Sequence, residues 1–187
     1  MLWRHPQIRA ELIELFDVLA SQVMHLPIAL EAPQDVPLMV HAQYTRIEMV
    51  AASRDDDGLT VPVFQAGFIL EPTIGADLCA FTLDKTSGNF SPTTRYRDYA
   101  ISRTLIHWES QSVTRADSKT GRRYQEHVQQ GTHILLFSRL TTDDRAFYFI
   151  GPAEYVSHVG EQPMAITWRL KYALPGDLFQ QFAAAVA

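Results

Sequence analysis

Between residues 90 and 127 the rings of Phe90, Tyr96, Tyr99, Trp108 and Tyr124 are interleaved with Arg95, Arg97, Arg103, Arg115, Arg122 and Arg123. Aromatic faces stack on bases and guanidinium forks hold phosphate oxygens, so a mixture of this kind suits nucleic acid. Inside the same stretch His107, Glu109 and Gln111 stand at alternate positions, with Trp108, Ser110 and Ser112 between them. On a strand the two sets would take opposite faces. A His-Glu-Gln row packs poorly and supplies a line of donors and acceptors, which reads as one wall of a polar pocket. The plainer reading of the same alternation is a solvated strand face over a core Trp108.

Charge sharpens the contrast. Residues 91–127 hold seven Lys/Arg against four Asp/Glu, whereas the remainder holds nine against seventeen. With a net charge of −5 the chain is unsuited to indiscriminate coating of DNA, which depends on phosphate neutralisation over a broad surface. Any nucleic-acid contact should therefore be local.

Catalytic chemistry finds little support. His107 beside Glu109 could be a base and its orienting acid, and His127, His133 and His158 could add ligands, but no H-E-x-x-H motif is present. There is no Gly-rich phosphate loop and no G-x-S-x-G elbow. Asp84-Lys85 lacks the second acid that a metal-dependent nuclease would need, leaving a nuclease as the weakest alternative. Cys79, the single cysteine, lies in the apolar run LCAF, so neither a disulfide nor a multi-cysteine metal site can form within one chain. The reading is a binding module with no catalytic residue, metal or cofactor.

The elements that must position these residues follow from periodicity. Pro6 opens a helical pattern carried by Ile8, Leu12, Ile13, Leu15, Phe16, Leu19 and Val23. Pro27, Pro33 and Pro37 make the next stretch an irregular connector. Thr45 with Glu48 three residues on is a capping-box signature for a short helix through about Ala52. From residue 60 the runs VPVFQAGFIL, DLCAFTLDK, THILLFSRL, AFYFIGPAEYVSHV and PMAITWRLKYAL read as strands, and LFQQFAAAVA as a terminal helix. In AITWRLKY, Ile166, Trp168, Leu170 and Tyr172 alternate with Ala165, Thr167, Arg169 and Lys171, the pattern of one buried face. The expected class is α+β, mostly β, a curved sheet or barrel with an N-terminal helix and a short terminal helix. A helix and Pro-rich connector over 1–36 precede a β-rich body over 37–187. No apolar run reaches the ~20 residues of a membrane span, and charges occupy the first residues where a signal peptide would be apolar, so a cytoplasmic setting is expected.

Seven strings carry a resemblance: YTRIE at 44, FTLDK at 81, FSPTTRYRDYAIS at 90, HWESQS at 107, TGRRYQEH at 120, ILLFSR at 134 and GPAEYVSHVGEQPMAITWRL at 151. From about Pro37 to Pro175 the chain resembles the domain of unknown function 3427 family, found at the C-terminus of superfamily II helicases that also carry a phospholipase-D-like nuclease domain. Those fused proteins are similar to modification-dependent restriction enzymes. The resemblance implies a module, PUA- or SRA-like, that recognises modified cytosine such as 5-methylcytosine in duplex DNA by base flipping, with helicase and nuclease domains or chains as partners and no membrane. A Walker lysine motif and an H-K-D pair are lacking here, which suits an excised domain or a stand-alone reader. Under this reading Tyr96, Tyr99, His107, Trp108, Glu109 and Gln111 contact the base, while Arg95, Arg97, Arg122 and Arg123 hold phosphates. A module that docks on a helicase-nuclease without touching DNA is the alternative. It expects Phe16 and Leu19 to be exposed and the basic segment to be scattered in space.

Overall fold

A computed structural model describes residues 4–22, 24–31, 33, 36–54, 67–83 and 98–184. In chain order the elements are α1 (Pro6–Gln22), β1 (Ile28–Ala29), β2 (Met39–Val40), β3 (Gln43–Thr45), α2 (Arg46–Ala52), β4 (Phe68–Glu71), β5 (Ala76–Thr82), β6 (Tyr99–Ser102), β7 (Leu105–Glu109), α3 (Lys119–Glu126), β8 (His133–Arg139), β9 (Ala146–Val159), β10 (Ala165–Leu170) and α4 (Gly176–Ala184). The main sheet runs β4-β5-β8-β9-β10-β7-β6, and β3 adds to β9. Only the β5–β8 ladder is parallel among the described strands. The fold is α+β and mostly sheet, as the strand spacing predicts. Its two end strands, β4 and β6, do not pair, so the sheet is open and the barrel alternative is not formed among the described residues.

Local chemistry accounts for several boundaries. Thr45 caps α2 by accepting from the Glu48 amide at 3.4 Å, and Glu48 Oε2 accepts from the Thr45 amide at 2.7 Å, which completes the capping box. Those bonds hold the Glu48 carboxyl below its usual range. Ser118 caps α3 by accepting from the Gly121 amide at 3.1 Å. A Cβ on Gly121 would collide with the Arg115 carbonyl oxygen and crowd that of Ala116, so only glycine lets α3 lie this close to the preceding loop.

The middle of the sheet is covered on both sides. Cys79, Phe81, Ile134 and Leu136 face one apolar cluster that includes Trp108, Tyr124, Met164, Ile166 and Trp168. Leu78, Ala80, Leu135 and Phe137 face a second cluster with Leu38, Val40, Met49, Phe147 and Phe149. All seven residues of β5 are accordingly buried, the continuous apolar reading of a strand enclosed on two faces. β10 instead alternates, with Ile166, Trp168 and Leu170 buried and Arg169 exposed, as its period-two pattern predicts.

α1 is helical where the spacing predicts it, yet it is not part of either core. Ile13, Leu15, Phe16, Val18 and Leu19 are all exposed, Phe16 by 62%. Among the described residues no helix is long and apolar enough to cross a membrane.

Candidate functional site

Alternation along β6, β7, β10 and β9 leaves one side of these strands in the core and the other open. Register places Tyr99, His107, Thr167 and Ser157 in one row across four strands. Flanking it on one side are Glu109, Ala165 and Val159, and on the other Leu105, Arg169 and Glu154. All of these are exposed or half-buried. The Tyr99 and His107 rings are stacked, centroids 4.7 Å apart and planes 26° from parallel. Asp98, buried next to Tyr99, accepts from the Glu109 amide at 2.9 Å and so ties the end of β7 to the start of β6. Tyr99, His107 and Glu109 are thereby brought together on one open face, in the alternation expected of a strand.

Three expected site residues are placed elsewhere. Trp108 is 3% exposed and packs edge-on against Tyr124 and tilted against Trp168, so it is a core residue and not a stacking platform. Gln111 follows the end of β7, and its side-chain oxygen accepts from Thr114 Oγ1 at 3.1 Å and the Tyr124 hydroxyl at 3.5 Å. It braces the core instead of joining His107 and Glu109. Arg123 grips both oxygens of Asp77 at 2.6 and 2.7 Å, with Asp77 fully buried in β5. Its fork is committed to an internal carboxylate, and that bonding raises the guanidinium above its ordinary range. Arg122, one position earlier on α3 and about 100° around the helix, is exposed. It lines a surface groove of mixed charge with Asp117, Lys119, Arg123, Glu126 and Gln130. Arg95, Tyr96 and Arg97 lie outside the described residues.

A second concavity was not anticipated. A cavity of about 320 Å³ opens where the C-terminal end of α3 meets β8 and β9, walled by Val128, Ile134, Pro152 and Ala153 and rimmed by His133, Glu154 and Lys171. His127 lies in its wall and is 2% exposed. Its Nδ1–H donates to the Tyr124 carbonyl at 2.9 Å, and Nε2 is buried without a partner. Burial, then His127 and Lys171, lower the pKa of His133. Glu154 belongs both to the rim and to the third row of the open face, so the two features adjoin.

The omissions have identifiable causes. Asp77, a lone acid in an apolar run, signals a buried counter-ion, but its partner lies 46 positions away. Asp117-Ser118 ahead of TGRRYQE is an N-cap signal for α3 that the basic character of the stretch obscures. Among the described residues no three His, Cys, Asp or Glu side chains are grouped to hold a metal ion.

Fold and site together define an open α+β domain with a solvent-facing polar and aromatic sheet surface beside a half-enclosed cavity. The chain belongs to the domain of unknown function family DUF3427, which matches residues 38–182. No curated protein matches the sequence. Among solved structures it is similar to the 5-hydroxymethylcytosine-specific restriction enzyme AbaSI, at 13% identity and a TM-score of 0.37, over 90% of this chain and 54% of that one. The chain thus spans about half the length of that solved protein.

Proposed function

We propose that this domain is a DNA-binding module that recognises modified cytosine in duplex DNA, without catalytic activity of its own. The observation that carries the reading is the open face of β6, β7, β10 and β9. A rigid stacked pair, Tyr99 on His107, stands there beside Glu109, Thr167, Ser157 and Arg169, with no described element covering them. Stacked rings offer a base roughly 1–3 kcal/mol, comparable with the few kcal/mol that taking a base out of the duplex costs. His107 and Glu109 supply edge-reading groups, and exposed Arg169 on the same face, with Arg95 and Arg97 expected beside it, the phosphate contacts. In the setting the family resemblance implies, helicase and phospholipase-D-like nuclease domains or chains do the translocation and cutting.

The test is a binding series on duplexes that differ only at one cytosine C5: unmodified, 5-methyl and 5-hydroxymethyl. The parent protein should prefer a modified duplex, and Tyr99→Ala or His107→Ala should reduce that preference. Arg169→Ala should weaken binding to every duplex alike and lower the salt slope by about one. Equal binding to all three duplexes, or none to any, would overturn the reading. Metal-dependent plasmid cleavage by the purified protein would refute its non-catalytic part.

One observation favours the docking module as a second reading. Phe16 and Leu19 are exposed, as that alternative requires. The two readings are compatible, since α1 lies outside the family match and the open sheet face lies within it.

A further inference from the structure

We infer that the modified cytosine lies on the open face as a third ring, stacked on the free side of His107, and that Ala165 and Thr167 beneath it read the group at C5. The inference rests on the proposal that the domain recognises modified cytosine. Tyr99 and His107 are direct partners across β6 and β7, and their stacked rings are 4.7 Å apart, one strand spacing. The stack therefore runs across the strands. Tyr99 backs the imidazole on its β6 side, so the other side looks over β10, where Thr167 is next in the row and Ser157 on β9 follows. Both side chains are short, and Ala165, next along β10 on the same face, is shorter still. The face steps down from His107 and Glu109 on β7 to these small residues, and a flat ring against His107 would stand on the lower ground.

Charge fixes which way a nucleotide lies there. Glu109 is level with Ala165, and Arg169 stands four residues further along β10, about 13 Å away. With its phosphate at the Arg169 guanidinium, a nucleotide whose base covers Thr167 turns the cytosine N4 amine toward the Glu109 carboxylate, which accepts from it. Two edges of the ring remain. The O2 and N3 edge is polar and faces water; the C5 and C6 edge is apolar and faces the sheet, which sets a C5 methyl against the methyl groups of Ala165 and Thr167. His107 gives this base its face, so its ring nitrogens remain for a neighbouring one. The groups that this arrangement uses are uncommitted: among the described residues, the side chains of His107, Glu109, Thr167 and Arg169 make no hydrogen bond or ion pair within the protein. Glu154 is level with Arg169 and forms no ion pair with it.

Bulk placed on either side of the base tests this. Ala165→Leu and Thr167→Leu put carbon where the C5 methyl would rest, and Ser157→Leu, one strand further on, adds bulk away from it. Binding is measured to duplexes carrying cytosine or 5-methylcytosine at one site, with a melting curve for each protein; a variant that melts below the parent is replaced by valine at the same position, which suits a strand. The parent should favour 5-methylcytosine. The Ala165 and Thr167 variants should lose that preference through a fall of about tenfold or more on the methylated duplex, while Ser157→Leu keeps it. In the parent, the His107 ring protons should move upfield when the methylated duplex is added. If the folded Ala165 and Thr167 variants keep the full preference, or the His107 protons stay in place while the preference persists, the C5 group is read elsewhere and the inference fails while the reader stands. Equal loss in all three variants would also overturn it, since the face would not be divided at β10. If the parent prefers neither duplex, the reader fails and the inference with it.

Discussion

His41 shows how much a single side chain can be constrained here. It sits at φ 72°, 2% exposed, with neither ring nitrogen partnered, and its amide donates to the Phe149 carbonyl at 2.6 Å. Burial first, then the neighbouring His25, push its pKa down to about 4, against a smaller opposing pull from Asp177. Below pH 6.5 the unfolded chain therefore takes up a proton that the folded one refuses until about pH 4. Stability from this residue is present above pH 6.5 and is lost as pH falls, by roughly 3 kcal/mol. Urea unfolding from pH 7 to pH 4 should show that loss, and His41→Asn, which tolerates positive φ without titrating, should flatten it. Arg123 and Arg122 make a second contrast at this scale. Arg123→Ala strands the Asp77 carboxylate and should cost about 3–5 kcal/mol, whereas exposed Arg122→Ala should stay within about 0.5 kcal/mol. Nothing in the local sequence distinguishes these adjacent arginines. What is legible is the alternation around Trp108, whose plainer reading, a core ring under a solvated face, is the one the fold adopts.

Among the elements, those with local signatures were readable in advance. Thr45 and Glu48 spell out the start of α2, and Ile166, Trp168 and Leu170 the buried side of β10. α3 and the parallel β5–β8 ladder were not, because a cap masked by basic residues and a pairing between residues 76–82 and 133–139 leave no periodic trace. α3 is also where substitution should be least forgiving. Gly121→Ala would ordinarily favour a helix, yet here the added methyl meets the Arg115 and Ala116 carbonyls. The expected result is a destabilisation of about 1–3 kcal/mol in thermal or urea unfolding.

For the molecule as a whole, α1 and the sheet are energetically separate. Deleting residues 1–22 should leave the melting temperature of the body within a degree or two, since the apolar side chains of α1 are exposed. A large drop would mean that α1 packs on the body in solution. β9 stands at the opposite extreme. It is fourteen residues long and bonded along both edges through much of its length. β8 takes one edge; β3, the Phe149 contacts with His41 and Ala42, the Lys171 amide and then β10 follow one another along the other. No stretch of β9 between Phe147 and Ala153 can open without breaking bonds to both halves of the sheet. In deuterated water its amide protons should be the last to exchange, at the rate of global unfolding, while those of α1 are lost early. The strand is not straight throughout: its register with β10 slips at Val156, between Ser157 on the open face and Ala153 in the cavity wall, so β9 turns there and passes from one feature to the other.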